Sequence, residues 1–421
     1  MRTPNGLLAA AMLASLALPH PAIGCTTGVV SGRVTADGRP LLWKNRDAPA
    51  KDNRVVFVSG NGHAFLAVVN AGSSGTGSVW MGVNEKGFCI ENSVIKDMPR
   101  NDKPGLGNGE FMRHALATCA NVKEFEALLT KTNETGRKTL ANYGVIDAEG
   151  GAAIFETGHN TFVKFDANDP ATAPLGYVVR SNFSFTGTGN SKLEDGGDLS
   201  DVYSGDRYLR ADALFRKAAE AKTLDHTYIL RHCTRDLADG KGCPHPGSVN
   251  GAAGPLPQEI DTAATLSRKS TVSVGVFHGV RPGEDPTLTT LWVMLGEPAV
   301  SIAVPCWVKA GEAAAPLSAG KRSELCTTAV TLRNGLYDKS GTKLRTAALP
   351  RVWESTLAAE DANLREASKS LEAWRTKAPR TEDVAELHRS AATRALETLT
   401  RLKADVVTPE PAPVVPGDVK K

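Results

Sequence analysis

The sequence predicts an α+β protein in which helices cover two β-sheets and a helical hairpin follows. Between residues 25 and 310 short apolar runs alternate with Gly, Asn and Asp, the pattern of strands and turns. Val272 to Val280, Leu288 to Leu295 and Val300 to Val308 read as successive buried strands bounded by turn residues. Helical stretches are read near Gly109 to Thr130, over Asp206 to Ala221 and again in the tail. With 421 residues, 41% hydrophobic and 23% charged, the chain can bury a large core. Its 49 Lys+Arg against 46 Asp+Glu leave a formal charge of +3 with no long block of one sign. That excludes the electrostatic footprint of a nucleic-acid binder.

At the start, Arg2 precedes an apolar run from Leu7 to Leu18, then Pro19, His20, Pro21 and Ala22-Ile23-Gly24. The run is too short to span a hydrocarbon core of about 30 Å, and Ala22 and Gly24 supply the small residues a signal peptidase needs at −3 and −1. Residues 1–24 are therefore expected to be a signal peptide whose removal makes Cys25 the new N-terminus. The expected location is exported, periplasmic or secreted, with no membrane span. A lipoprotein is the alternative, with Cys25 diacylated, although a lipobox usually has Leu where this chain has Ala22.

Export implies a compartment in which disulfides persist, and besides Cys25 the chain holds Cys89, Cys119, Cys233, Cys243, Cys306 and Cys326. Local closures Cys233–Cys243 and Cys306–Cys326 are the simplest pairings. His232, Cys233, Cys243 and His245 have zinc-ligand chemistry but lack C-x₂₋₄-C spacing, so a disulfide is preferred there. Nothing in the sequence requires a metal or an organic cofactor.

Cys25 is left over, and an N-terminal cysteine has a chemical use. A thiol must lose its proton to become a strong nucleophile, and a free α-amino group, with a pKa of about 7.7–8.0, can accept it. Such a residue carries nucleophile and base together and needs only a group to orient the amine and an oxyanion hole. Cys25 to Val34 and Pro40 to Asp47 are two β-rich runs joined through Asp37-Gly38, a hairpin that returns Lys44, Arg46 and Asp47 towards Cys25.

In the tail, Trp353, Leu357, Leu364, Leu371 and Trp374 recur at helical spacing, Pro379 breaks the run, and Thr381 with Glu382 and Asp383 starts a second helix. Val384, Leu387, Ala391, Ala395 and Leu399 line one of its faces, so residues 346–404 are expected to form an αα-hairpin on the main domain, 25–345, or on a partner subunit. Pro409, Pro411, Pro413 and Pro416 mark 405–421 as a disordered Pro-rich end. Residues 187–190 and 194–198 read as a surface loop.

The residues also resemble a known family, the N-terminal-nucleophile hydrolases of the choloylglycine hydrolase and penicillin (acyl-CoA:6-aminopenicillanic acid) acyltransferase group. Cys25-Thr26, the Asp-Gly turn and Asn45-x-Asp47 are similar to its first hairpin. Met81 to Phe88 with Asn92, Asn142-Tyr143-Gly144-Val145-Ile146-Asp147 to Glu156, Tyr177 to Asn182, Ser204-x-x-Arg207-Tyr208 and Ser270 to Ser273 resemble its later blocks in the same order. The resemblance implies a four-layer αββα sandwich, homo-oligomerisation, and a small-molecule N-acyl amide substrate.

It also implies residue roles. Cys25 is the nucleophile, Asp47 orients its amine, Asn182 helps form the oxyanion hole and Asn92 lies by the nucleophile. Bile-salt hydrolases carry Arg three residues before the aspartate; here Lys44 stands in that place and Arg46 adjoins Asp47. A later family arginine corresponds to Arg231, Arg235 or Arg268. The implied activity is hydrolysis of a linear, non-peptide C–N amide bond, or transfer of its acyl group, through a Cys25 acyl-enzyme. An exported dipeptidase of the same superfamily and an inactive lipid-anchored binding protein are the alternatives.

Overall fold

A computed structural model describes residues 24–99, 104–188, 198–199, 202–238 and 256–407. The residues before Gly24 expected to be a signal peptide, most of the surface loop expected over 187–198, Cys243 with His245, and the Pro-rich end beyond 407 lie outside the described residues.

In chain order the strands are β1 (Cys25–Val30), β2 (Leu41–Asp47), β3 (Asn53–Val58), β4 (Phe65–Asn70), β5 (Met81–Asn84), β6 (Cys89–Val94), β7 (Ala141–Ile146), β8 (Ala152–Thr157), β9 (Phe162–Asp166), β10 (Tyr177–Arg180), β11 (Glu259–Asp261), β12 (Thr271–His278), β13 (Thr290–Leu295), β14 (Val304–Cys306) and β15 (Lys343–Arg345). The helices are α1 (Asn108–Thr118), α2 (Val122–Thr135), α3 (Gly205–Glu220), the short α4 (His226–Tyr228), α5 (Ala315–Ser318), α6 (Glu324–Leu336), α7 (Leu349–Thr376) and α8 (Thr381–Val407). One antiparallel sheet has six strands in the order β10-β1-β2-β12-β13-β14, and a second has seven in simple succession from β3 to β9.

Alternation along the strands builds the layers. On β2, Leu42 turns into the core between the sheets while Leu41 and Trp43 turn outwards, where Phe215 of α3 stacks on Trp43 with ring centroids 5.5 Å apart. On β6, Cys89 faces the inner core and Ile90 the outer one, beneath Phe111, Met112 and Leu116 of α1. The result is helix, sheet, sheet, helix. The same alternation carries Cys25 and Thr27 on β1, and Lys44 and Arg46 on β2, to the inner face, because Val29 and Leu42 of those strands already point there.

The structure refines several boundaries. The β1–β2 hairpin forms with Cys25 opposite Arg46 and Val30 opposite Leu41, so its connection runs from Ser31 to Pro40 rather than through a tight Asp-Gly turn. Gly38 still serves it, at φ +71°, a left-handed conformation that suits glycine. The helical stretch expected at 109–130 is two helices, because the Asn121 side chain accepts from Glu124 N–H at 2.9 Å and starts α2 afresh. The strand expected at 300–308 shortens to β14, since Pro298 opens a 3₁₀ turn over Pro298–Val300.

The C-terminal hairpin shares the main core: Leu349, Val352 and Trp353 of α7 and Ala391, Ala395 and Leu399 of α8 belong to the inner cluster. Buried His388 bridges it, accepting Ala314 N–H at 2.8 Å through Nε2 and donating to Pro305 O at 2.8 Å through Nδ1.

One expectation is overturned. Cys306 and Cys326 are free thiols, as are Cys25, Cys89, Cys119 and Cys233. Cys306 Sγ turns to Val304 O, whereas Cys326 Sγ, at the start of α6, lies 3.3 Å from Asn53 N and 3.5 Å from Lys51 O. Burial pushes the Cys306 thiol up strongly and that of Cys326 to about 11, so both behave as small hydrophobes. The partner expected for Cys233, Cys243, lies outside the described residues.

Candidate active site

The site forms where β1 and β2 meet the end of β10 and the start of α3. Cys25 opens β1 and is 5% exposed. Its backbone nitrogen donates to Asn182 Oδ1 at 2.7 Å. Arg207, from the first turn of α3, donates through Nη1 to Cys25 O at 2.7 Å and to Thr26 Oγ1 at 2.8 Å, and through Nη2 to Asn182 Oδ1 at 2.8 Å. One buried guanidinium thus holds both the first residue of β1 and the amide that receives its nitrogen.

Local strain supports this arrangement. Ser204, the N-cap of α3, adopts φ +67°, which a non-glycine residue takes only when its surroundings enforce it. Its hydroxyl accepts Asn182 N–H at 2.9 Å and meets Ser181 Oγ at 2.9 Å, locking the end of β10 to the start of α3.

Asp47 ends β2 on the other flank. Its N–H donates to Gly24 O at 2.7 Å. Its carboxylate accepts Arg268 Nε at 2.6 Å and Thr271 Oγ1 at 2.7 Å, and Arg268 Nη2 lies in ion-pair contact with it at 2.6 Å. A Cβ on Gly24 would lie 2.3 Å from Arg268 Nη2 and 2.9 Å from Arg207 Nη2, so a larger residue ahead of Cys25 would have to displace these guanidinium groups. Of the three arginines left open by the sequence, Arg268 reaches Asp47, whereas Arg235 and Arg231 pair with Glu360 of α7.

Behind Cys25, Lys44 Nζ donates to Asn92 Oδ1 and Trp80 O, each at 2.8 Å. Arg46 donates to Asn53 Oδ1 at 2.8 Å and to Asn70 Oδ1 at 3.2 Å, and lies 4.5 Å from the centre of the Trp80 ring. Burial lowers the pKa of Lys44, and lowers those of Arg46 and Arg207 to about 10. Burial works on Arg268 in the same sense, but the Asp47 carboxylate outweighs it and raises that guanidinium. Buried cations thus outnumber carboxylates around Cys25, an environment that favours negative charge on a sulfur or on a tetrahedral oxygen.

The structure therefore brings Cys25, Asp47, Asn182, Asn92, Lys44, Arg46 and Arg268 into one buried cluster. Two of them make contacts other than the ones expected. Asn182 holds the Cys25 nitrogen: two donors converge on Oδ1, and Nδ2 donates to Val94 O at 2.7 Å. The Asp47 carboxylate is occupied by Arg268 and Thr271, and its backbone N–H, not its side chain, points at the residue joined to Cys25.

Arg207, Thr271 and Glu91 complete the cluster and were not among the site residues read from the sequence. Arg207 left a signal, because it stands on the buried stripe of α3 with Ala211, Leu214, Phe215 and Ala218. A lone cation on an apolar stripe marks an internal polar partner. A cavity of about 430 Å³ adjoins the cluster, lined by Ala48, Pro49, Lys51, Thr262, Arg268 and Lys269 among others. Among the described residues no group of three His, Cys, Asp or Glu side chains comes together to hold a metal ion, and no helix is long and apolar enough to cross a membrane.

Among solved structures the chain is similar to a mutant of conjugated bile acid hydrolase from Clostridium perfringens, at 13% identity over 64% of this chain and 89% of that one, with a TM-score of 0.41. It is also similar to penicillin V acylase from Agrobacterium tumefaciens, at 16% identity over 67% and 85%, with a TM-score of 0.39. No curated protein matches it. The family described as acyl-coenzyme A:6-aminopenicillanic acid acyl-transferase matches residues 34–233, slightly under half of the chain. Over residues 34–233, then, the chain carries the sequence pattern of that acyl-transferase family, a family of N-terminal-nucleophile, amide-cleaving enzymes.

Proposed function

We propose that the protein is an exported cysteine enzyme that cleaves the linear amide of a small N-acyl substrate, or transfers its acyl group, through a thioester on Cys25. The observation that carries the reading is that Cys25 has its nitrogen, its carbonyl and the preceding carbonyl each fixed by a separate buried donor or acceptor: Asn182, Arg207 and the Asp47 N–H.

Cutting the Gly24–Cys25 bond turns the Cys25 nitrogen into an α-amine that stays on Asn182. Arg207 stands at the same amide oxygen, and a neighbouring cation disfavours the protonated amine, keeping it available as a base at neutral pH. The amine takes the thiol proton and the sulfur attacks the substrate carbonyl. The Asp47 N–H, relieved of Gly24 O, becomes a donor for the tetrahedral oxygen. The amine then returns its proton to the leaving nitrogen, and water or an acyl acceptor resolves the thioester.

The burial of Cys25 at the head of β1 counts against the lipid-anchored alternative, because a diacylated residue would have to leave the sheet to reach a bilayer. The reading is tested by intact mass and N-terminal sequencing of the exported protein, followed by assay on N-acyl amides and dipeptides with Cys25→Ala as control. An unblocked Cys25 terminus with N-acyl amide turnover supports it. Turnover of dipeptides alone selects the dipeptidase, and a terminus elsewhere overturns the mechanism.

A further inference from the structure

Glu91 has no part in the steps above, yet it is fully buried on the inner face of β6, beside the elements that carry Cys25. From β1 it meets Thr27 Oγ1, with Cys25 two residues away on the same face. From β2 it faces Lys44, the charged group that acts on it. On β7 the residue opposite it is Gly144, and β5 presents Met81. Helix α1 covers the opposite face of the sheet with apolar side chains.

Two observations concern its proton. Thr27 Oγ1 bonds both Trp43 O, at 2.8 Å, and Glu91 Oε1. A hydroxyl has one hydrogen and Trp43 O can only accept, so an ionised Glu91 competes with Trp43 O for that hydrogen, whereas a protonated Glu91 can close the contact with its own. In addition, Glu91 Oε2 is buried without a hydrogen-bond partner, which a neutral acid tolerates far better than a carboxylate. Burial, opposed by Lys44 and Thr27, pushes Glu91 up to about 7.

We propose that Glu91 is a positioning residue that works as a neutral acid: protonated, it leaves the Lys44 cation uncompensated behind Cys25, and ionised, it becomes the counter-ion of Lys44 and weakens the field on the sulfur. Lys44 bonds two neutral oxygens, Asn92 Oδ1 and Trp80 O, and the charges that act on it are those of Cys25, Glu91, Arg46 and Asp47. Loss of the Glu91 proton to solvent is thus a change in the electrostatics of the nucleophile with no change in its contacts. The inference rests on Cys25 being the nucleophile.

The test is the rate of Cys25 alkylation by iodoacetamide in the protein that begins at Cys25, measured from pH 5.5 to 8.5 and located by peptide mass. Glu91→Gln keeps the bond to Thr27 but cannot ionise. Its rate should match wild type at the acid end and exceed it on the order of tenfold at pH 8.5, with Lys44→Met abolishing that difference. A constant ratio across the range overturns the proposal.

A second measurement serves if Glu91→Gln does not fold. In a Glu297→Gln background, infrared spectroscopy should show a buried carboxylic C=O stretch at pH 6 that is lost by pH 8.5; its absence at pH 6 overturns the proposal. Failure of Cys25 to alkylate at any pH would count against the nucleophile reading alone, and the infrared measurement then decides Glu91 by itself.

Discussion

Arg268 and Asp47 stand 221 residues apart in sequence, yet Nε and Nη2 of the guanidinium both lie 2.6 Å from Asp47 Oδ2. This pair fixes the end of β2, and with it the backbone N–H aimed at the residue joined to Cys25. Removing one partner leaves a buried charge alone, so Arg268→Ala is expected to cost about 3–5 kcal/mol of stability. Arg268→Lys should recover part of it. Chemical denaturation of both variants checks this, and equal stability of Arg268→Ala and wild type would rule out a structural role for the pair.

Arg207 acts on the base. With Arg207→Met the amine at position 25 loses its neighbouring cation and holds its proton to higher pH. The acid limb of the pH–rate profile for N-acyl amide turnover should move upwards by about one pH unit or more. Arg207→Lys should keep the limb near its original position while losing the hydrogen bonds to Cys25 O and Thr26 Oγ1. A limb that stays in place in Arg207→Met would show that the guanidinium serves packing alone.

Asn182→Ala removes the acceptor of the Cys25 nitrogen. Turnover should fall by about 10²–10⁴, the worth of a positioned general base, with loss of stability limited to about 1–3 kcal/mol because Arg207 keeps its other acceptors. Circular dichroism and steady-state kinetics on the same preparation separate the two effects.

Glu297, buried between Tyr337 and Arg333, is pushed up to about 7 by burial. The folded protein therefore binds more protons than the unfolded chain between the ordinary glutamate pKa of 4.5 and about 7. Stability falls as pH rises through that window and levels off above it. Relative to wild type, Glu297→Gln should gain on the order of 3 kcal/mol between pH 4.5 and 8. Urea denaturation at both pH values measures the difference.

Without reductant, unfolded protein should take up iodoacetamide at both Cys306 and Cys326, because the structure leaves both thiols free. Peptide mass mapping decides it. A surviving Cys306–Cys326 crosslink would require β14 and α6 to sit differently.

Much of the framework was legible beforehand. The β-rich runs on either side of Asp37-Gly38 give the first hairpin, and the tail's apolar stripes give the helical one directly. The cysteine pairing was not legible, because sequence separation says nothing about which way Cys306 and Cys326 turn once their elements are packed. Nor was the capping of Glu124 by Asn121, one side-chain bond that splits an otherwise continuous helical pattern.

By itself the sequence determined most of the element types, the helical hairpin of the tail and the cluster of chemistry-bearing residues that Cys25, Lys44, Arg46 and Asp47 form on one hairpin. Those are local matters, set by side-chain periodicity and by pairing between neighbouring strands. Only the tertiary structure decided how the distant groups complete the site, and it added Arg207 and Glu91. Arg207, Arg268, Asn182 and Glu91 reach Cys25 and its hairpin from α3, the loop before β12, the end of β10 and β6. A buried charge must find its partner wherever packing brings one, and no spacing along the chain records that choice.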